Sequence, residues 1–181
     1  GYSIPDAAAL SPLTMVQAAG LGVLCAIVSI LFCEVMHAAP KVYANVAPNP
    51  LIRAAMGGVL VLGLTLMVGS QDYNGAGDFV IRRLLAGETI PQAFLLKIAF
   101  TAVTLGAGFR GGEIVPVLFT GCAFGTWAGP MLGLPHAFSG ALGMAAMDHW
   151  TRSFMVYSRQ GAMNLRCAAF TRLIFAPSRP A

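Results

Sequence analysis

Charge is what this chain has least of. Only 10% of its 181 residues are Asp, Glu, Lys or Arg, where a soluble domain carries about a quarter. With 57% hydrophobic residues and a mean hydropathy of +0.74, that scarcity excludes an ordinary soluble globule and predicts an integral membrane protein. Cysteine is sparse as well. Cys25, Cys33, Cys122 and Cys167 are scattered, three of them in apolar runs, which excludes a disulfide framework or a paired-cysteine zinc site and leaves them as small core residues. No Gly-Lys-Ser/Thr follows any glycine cluster, and no Ser/His/Asp or metal-ligand constellation is present. Nucleotide, nucleophilic and metal chemistry are therefore not indicated, and neither a catalytic residue nor a cofactor is expected. A secretory leader is lacking too: Gly1 to Ser11 carries Asp6 and no basic residue. Gly1 in place of an initiating methionine predicts a piece of a longer protein.

The formal charge of +4 does not make the chain a nucleic-acid binder. Residues 1–146 hold six basic and six acidic side chains, and the excess lies in the tail, where Arg152, Arg159, Arg166, Arg172 and Arg179 meet only Asp148. Such a tail suits anionic lipid, not a nucleic-acid groove.

What is present is a series of apolar runs. Thr14 to Cys33 has the length a bilayer core demands, Pro40 should end its helix, and Glu34, His37 and Lys41 mark an aqueous border. Glu34 and His37, three apart, are read as boundary residues in preference to a proton relay. Leu51 to Gly69 forms a second span, with Gly57, Gly58 and Gly63 read as helix-packing positions. A polar stretch follows, in which Asp78 should cap a short helix from Phe79 to Ala86 that Gly87 stops. Pro91 starts a third span, Gln92 to Leu105, whose Lys97 is expected to snorkel to the headgroups. Val117 to Leu134 makes a fourth, with Gly121, Gly125 and Gly129 as a close-packing ladder and Trp127 near an interface. Phe138 to Met147 begins a fifth helix. Fold class is therefore an all-α, multi-pass helical membrane bundle.

One stretch carries chemistry: Gly106-Ala107-Gly108-Phe109-Arg110-Gly111-Gly112-Glu113-Ile114-Val115-Pro116. The glycines free the backbone, and Pro116, having no N–H, suits the first turn of a helix that begins near Glu113. The unpaired amides and positive dipole end of that helix make an anion site. An ordinary loop between two spans fits the local pattern equally well.

Read with its flanks, FLLKIAFTAVTLGAGFRGGEIVPVLFTGCAFG from Phe94 to Gly125 resembles the CLC family of chloride channels and chloride/proton antiporters, in a bacterial branch that includes fluoride/proton antiporters. Gly112-Glu113-Ile114-Val115-Pro116 matches the family's Gly-x-Phe-x-Pro with isoleucine for phenylalanine. The resemblance implies that the amides of Glu113 and Ile114 face the permeating ion, with Gly111, Gly112, Val115 and Pro116 shaping the site. Val115 stands where Gly-Gly-Glu-Val-Thr-Pro has threonine, so chloride and fluoride both remain open. Glu113 is a candidate for proton uptake, although a plain helix-start carboxylate is the favoured reading. The match covers roughly Leu13 to Ala146, most of the second of two inverted repeats. It implies a membrane domain over 1–146 in the bacterial inner membrane, a lipid bilayer around it, a homodimer if completed, and transport of chloride or fluoride, with protons in an antiporter. The alternative is a non-transporting membrane remnant or helical scaffold. Residues 147–181 are unmatched. Arg152, Arg159 and Arg166 recur every seven residues as a helical stripe would, but a reading-frame shift near Met147, leaving an accidental or disordered peptide, is the preferred explanation.

Overall fold

The structure is a computed structural model that describes residues 11–109 and 111–174, with side-chain surroundings through Val156. Six helices and no strand make up the described residues: α1 (Pro12–Val46), α2 (Pro50–Val68), α3 (Asp78–Leu85), α4 (Ala93–Gly106), α5 (Ile114–Met131) and α6 (His136–Ile174). Three of them, α1, α2 and α5, are long and apolar enough to cross a membrane.

Local sequence signals start most of these helices. Ser11 caps α1 by accepting from Thr14 N at 3.1 Å, and Asn49 caps α2 by accepting from Leu51 N at 3.0 Å, each followed by a proline in the first turn. α2 ends at Gly69, whose φ of +69° only glycine adopts without strain.

Tertiary packing overrides other signals. Pro40 does not end α1, which runs on to Val46 with the proline inside it. The ring sits on an exposed face, and neighbouring turns and helices carry a helix past one missing hydrogen bond. α4 has 14 residues, about 21 Å at 1.5 Å each, so the expected third span is too short to cross a bilayer alone. Asp78 is not a cap. Gly77, at φ +71°, holds that position, and a Cβ there would meet the Phe119 ring at 2.6 Å, while Asp78 accepts from Arg82 Nε at 2.9 Å. Gly87 does stop α3, its N–H donating to Leu84 O at 3.2 Å.

The core has two parts. Leu21, Cys25 and Phe32 of α1 meet Ile98 of α4, Phe124 of α5 and Met147 of α6. A second cluster joins Val80 and Leu84 of α3 to Phe100, Phe119 and Tyr73. Trp127, expected near an interface, packs on Phe94 and Phe124 with ring centroids 6.1 and 5.8 Å away. Cys25, Cys33 and Cys122 are buried free thiols, as expected of core residues; the side chain of Cys167 lies outside the described residues.

α5 and α6 cross at the glycine ladder. Cβ atoms built on Gly121 and Gly125 would collide with the carbonyl oxygens of Gly143 and Ser139, so only hydrogen allows this approach. On α2, Gly57 packs on Ala107, but Gly58 and Gly63 face open space. Among the described residues, Gly57 alone of the three makes the expected close approach.

α6 passes through Ala146 and Met147 unbroken. Met147 and Thr151 are buried, and Phe154 and Met155 pack on the core. These four positions, spaced 4, 7 and 8 residues from the first, lie on one helix face, so the α1-facing stripe extends past the point where apolar composition fades. The later arginine side chains, from Arg159 on, lie outside the described residues.

Candidate functional site

The glycine-rich loop is wedged between α1 and α2. Gly106 lies against Ala39 and Tyr43, where an added Cβ would come within 2.9 and 3.0 Å. Gly108, at φ +93°, turns the chain beneath the Arg53 guanidinium, and its N–H donates to Leu105 O at 3.0 Å. Both glycines are needed for these approaches, and Arg53 is a neighbour that sequence reasoning did not connect to the loop. Its Nε is buried without a hydrogen-bond partner.

A helix then begins where the glycine and proline pattern predicts. Glu113 takes the N-cap position of α5 without a side-chain capping bond. The first backbone donor of this end to find an acceptor is Val117 N, which bonds Glu113 O at 3.2 Å. Pro116 has no donor, and among the described residues the amides of Ile114 and Val115 in the first turn meet no backbone acceptor. Together with the macrodipole they form a positive end.

That end opens on a cavity of about 650 Å³ between α2, α4, the start of α5 and the loop from Tyr73 to Ala76. Of the six residues assigned from sequence, Gly111, Gly112, Val115 and Pro116 line it, and Glu113 and Ile114 do not. Ile114 is 56% exposed. Glu113 is exposed. Val115, standing where Gly-Gly-Glu-Val-Thr-Pro has threonine, borders the cavity.

Lys97 corrects a second expectation. It does not snorkel: it is 2% exposed, and its Nζ donates to Gly75 O at 2.6 Å and Tyr73 O at 3.1 Å while lying 4.9 Å from the centroid of Phe119. It also borders the cavity. Thr101 and Thr104, on the same wall, donate to the carbonyls of Lys97 and Phe100, both at 2.7 Å. The lining is otherwise largely apolar, with Val61, Phe100, Leu105 and Phe109.

The remaining candidates are not assembled. His37 Nδ1 bonds Cys33 O at 2.7 Å within its own helix, and among the described residues no hydrogen bond or ion pair links it to Glu34. His136 opens α6 with Nδ1 buried and unpartnered. Among the described residues no three His, Cys, Asp or Glu side chains converge as a metal site would require.

Ion pairs on α3 border the loop that carries Tyr73. Burial raises the Tyr73 phenol above its ordinary pKa, with Asp72 adding to the rise and Arg83 opposing it. Arg83 bonds Glu88 at 2.6 Å and approaches Asp72 at 4.0 Å, tying the loop to α3.

Residues 1–148 match the family model described as voltage gated chloride channel. The chain is 24% identical over 152 residues to the chloride/fluoride channel protein of Pseudomonas syringae pv. tomato (strain ATCC BAA-871 / DC3000), covering 81% of this chain and 34% of that protein. It is 30% identical over 116 residues to the voltage-gated ClC-type chloride channel ClcB of Escherichia coli O9:H4 (strain HS), covering 62% and 28%. The crystal structure of a CLC-type fluoride/proton antiporter superposes with a TM-score of 0.77 at 25% identity, over 82% of this chain and 38% of that one. The chain thus spans about a third of the length of the relatives it matches.

Proposed function

The chain belongs to the voltage-gated chloride channel family, and from that premise we propose that it forms one wall of a pathway for a small inorganic anion, chloride or fluoride, in a bacterial inner membrane. The observation that carries this reading is the start of α5: Val115 and Pro116, with Gly111 and Gly112 before them, border the cavity at a helix end whose first-turn amides meet no backbone acceptor among the described residues. Amides aimed at a dehydrating anion replace the water it loses, and the work is electrostatic, with no covalent step. As α2 is only 6% buried, its apolar surface suits lipid or further helices of a longer protein, including those of a homodimer.

Calorimetric titration of the detergent-solubilised chain with sodium fluoride and sodium chloride tests the site. Saturable halide binding is expected. Gly112→Leu, at a position where an added Cβ meets nothing within 4 Å, should keep native helicity by circular dichroism and lose binding by filling the mouth. Equal binding in that variant, or none in the natural chain, overturns the reading. Halide efflux from liposomes separates the roles: binding with efflux means that the chain transports alone, and binding without it means a wall completed by other segments, or a remnant that no longer transports.

Proton coupling is a second, finer reading. It is favoured by Glu113, at the N-cap of α5, making no side-chain capping bond there. Wherever the chain supports efflux, Glu113→Gln should remove the dependence of halide flux on an imposed pH gradient; an unchanged dependence refutes that role.

A further inference from the structure

Among the described residues, Lys97 carries a charge that the fold itself does not explain. A buried ammonium is costly unless its charge is compensated, yet among the described residues no carboxylate pairs with it. Its partners are two backbone carbonyls and the face of Phe119. An ammonium has three donors, and two are used. The third is left in a group that borders a cavity in which Thr101 and Thr104 donate to carbonyls of α4 and Asn74 Nδ2 donates to Thr65 Oγ1. A neutral amide would serve both carbonyls equally well, so the clamp alone does not account for a positive charge here.

We propose that Lys97 is itself an anion-binding group: its ammonium, on the α4 wall, forms with the first turn of α5 a two-sided subsite for a small monovalent inorganic anion. This rests on the anion-pathway reading above and deepens it. The charge concentrates anions in a largely apolar chamber, and the two carbonyls hold the ammonium in place so that it does not follow the ion. Phe119 lies on α5 one turn beyond Pro116, so the ring that contacts the ammonium belongs to the helix that supplies the amides.

The chain has only two lysines, Lys41 and Lys97, so lysine side-chain labelling with 15N gives two resonances, one of them an internal control. Titrating the natural chain in micelles with sodium fluoride or sodium chloride should move the Lys97 resonance saturably, at the midpoint found by calorimetry, and leave Lys41 in place. Sodium gluconate, too large for the subsite, should move neither. Lys97→Gln, which keeps donors for the carbonyls and removes the charge, should bind halide about tenfold more weakly, and Lys97→Arg should bind more tightly than Lys97→Gln. If the natural chain binds halide by calorimetry while the Lys97 resonance stays fixed, or if K97Q binds as the natural chain does, Lys97 is only a clamp for the loop and the proposal fails. If the natural chain binds no halide at all, the anion-pathway reading fails first and takes this subsite with it. The resonance experiment needs no variant to fold.

Discussion

Ser29 Oγ and Thr151 Oγ1 share a 2.8 Å hydrogen bond that joins α1 to α6 across 122 positions of sequence, both residues being buried. It ties the first helix to a segment in which the apolar texture of the chain has already given way to arginines. Thr151 thus belongs to the same packed body as the residues before Ala146.

Breaking that bond from either side should destabilise the fold. Ser29→Ala leaves a threonine hydroxyl buried without a partner, and Thr151→Val does the reverse at nearly constant volume; each should cost about 1 kcal/mol. The double variant should show a coupling of about 0.6 kcal/mol, the usual size for hydrogen bonds between membrane helices. Denaturation of the four proteins in mixed micelles measures the cycle. Strict additivity would mean that the two hydroxyls do not interact, and a neutral Thr151→Val would detach residues beyond Ala146 from the folded domain.

The Arg83–Glu88 pair gives a prediction about acid. The hydrogen bond from Arg83 holds the Glu88 carboxyl below the usual carboxylate range. A depressed folded-state pKa contributes stability above the unfolded value, about 4.3, and that contribution disappears as pH falls through the folded value. Acid should therefore loosen the loop that carries Tyr73 and Gly75, and Glu88→Gln should flatten this limb of the pH profile. Hydrogen exchange at Asn74 and Gly75 between pH 7 and pH 3, in the natural chain and in E88Q, reads the effect. High salt should shrink it, because the pair is solvent-exposed; identical profiles in the two proteins would remove the pair from the account.

What could be read from sequence was what depends on neighbours a few residues away. Glycines before a proline announce a helix start, so α5 begins one residue from where Gly106 to Pro116 placed it. Gly87 likewise stopped α3, and the ladder Gly121, Gly125, Gly129 identified the face that meets α6. Lys97 escaped because its acceptors, Tyr73 O and Gly75 O, are brought back over α4 from 24 and 22 residues earlier; nothing within α4 distinguishes a lysine that snorkels from one so held. The position of Arg53 beside Gly108 is hidden for the same reason. Beyond the start of α6 the signal lies in spacing and not in composition: Met147, Thr151, Phe154 and Met155 keep helical register after the average hydrophobicity has dropped.

The glycine ladder offers the sharpest contrast between glycines that are required and glycines that are not. At Gly125 a methyl group would meet the carbonyl oxygen of Ser139, and at Gly121 that of Gly143, both backbone atoms that cannot step aside as a side chain would. Gly121→Ala or Gly125→Ala should force α5 away from α6 and cost about 1–3 kcal/mol. Gly63→Ala, in the middle of α2 with nothing within 4 Å, should instead stabilise by about 0.5–1 kcal/mol through helix propensity. Unfolding midpoints of the three variants test the pair of expectations. The consequence reaches the site, because the helix displaced by the ladder variants is the one whose first turn borders the cavity. Halide affinity should fall along with stability in G121A and G125A and stay unchanged in G63A. Loss of stability with intact affinity would mean that the start of α5 is held by the glycine loop and α4 alone, and not by the α5–α6 crossing.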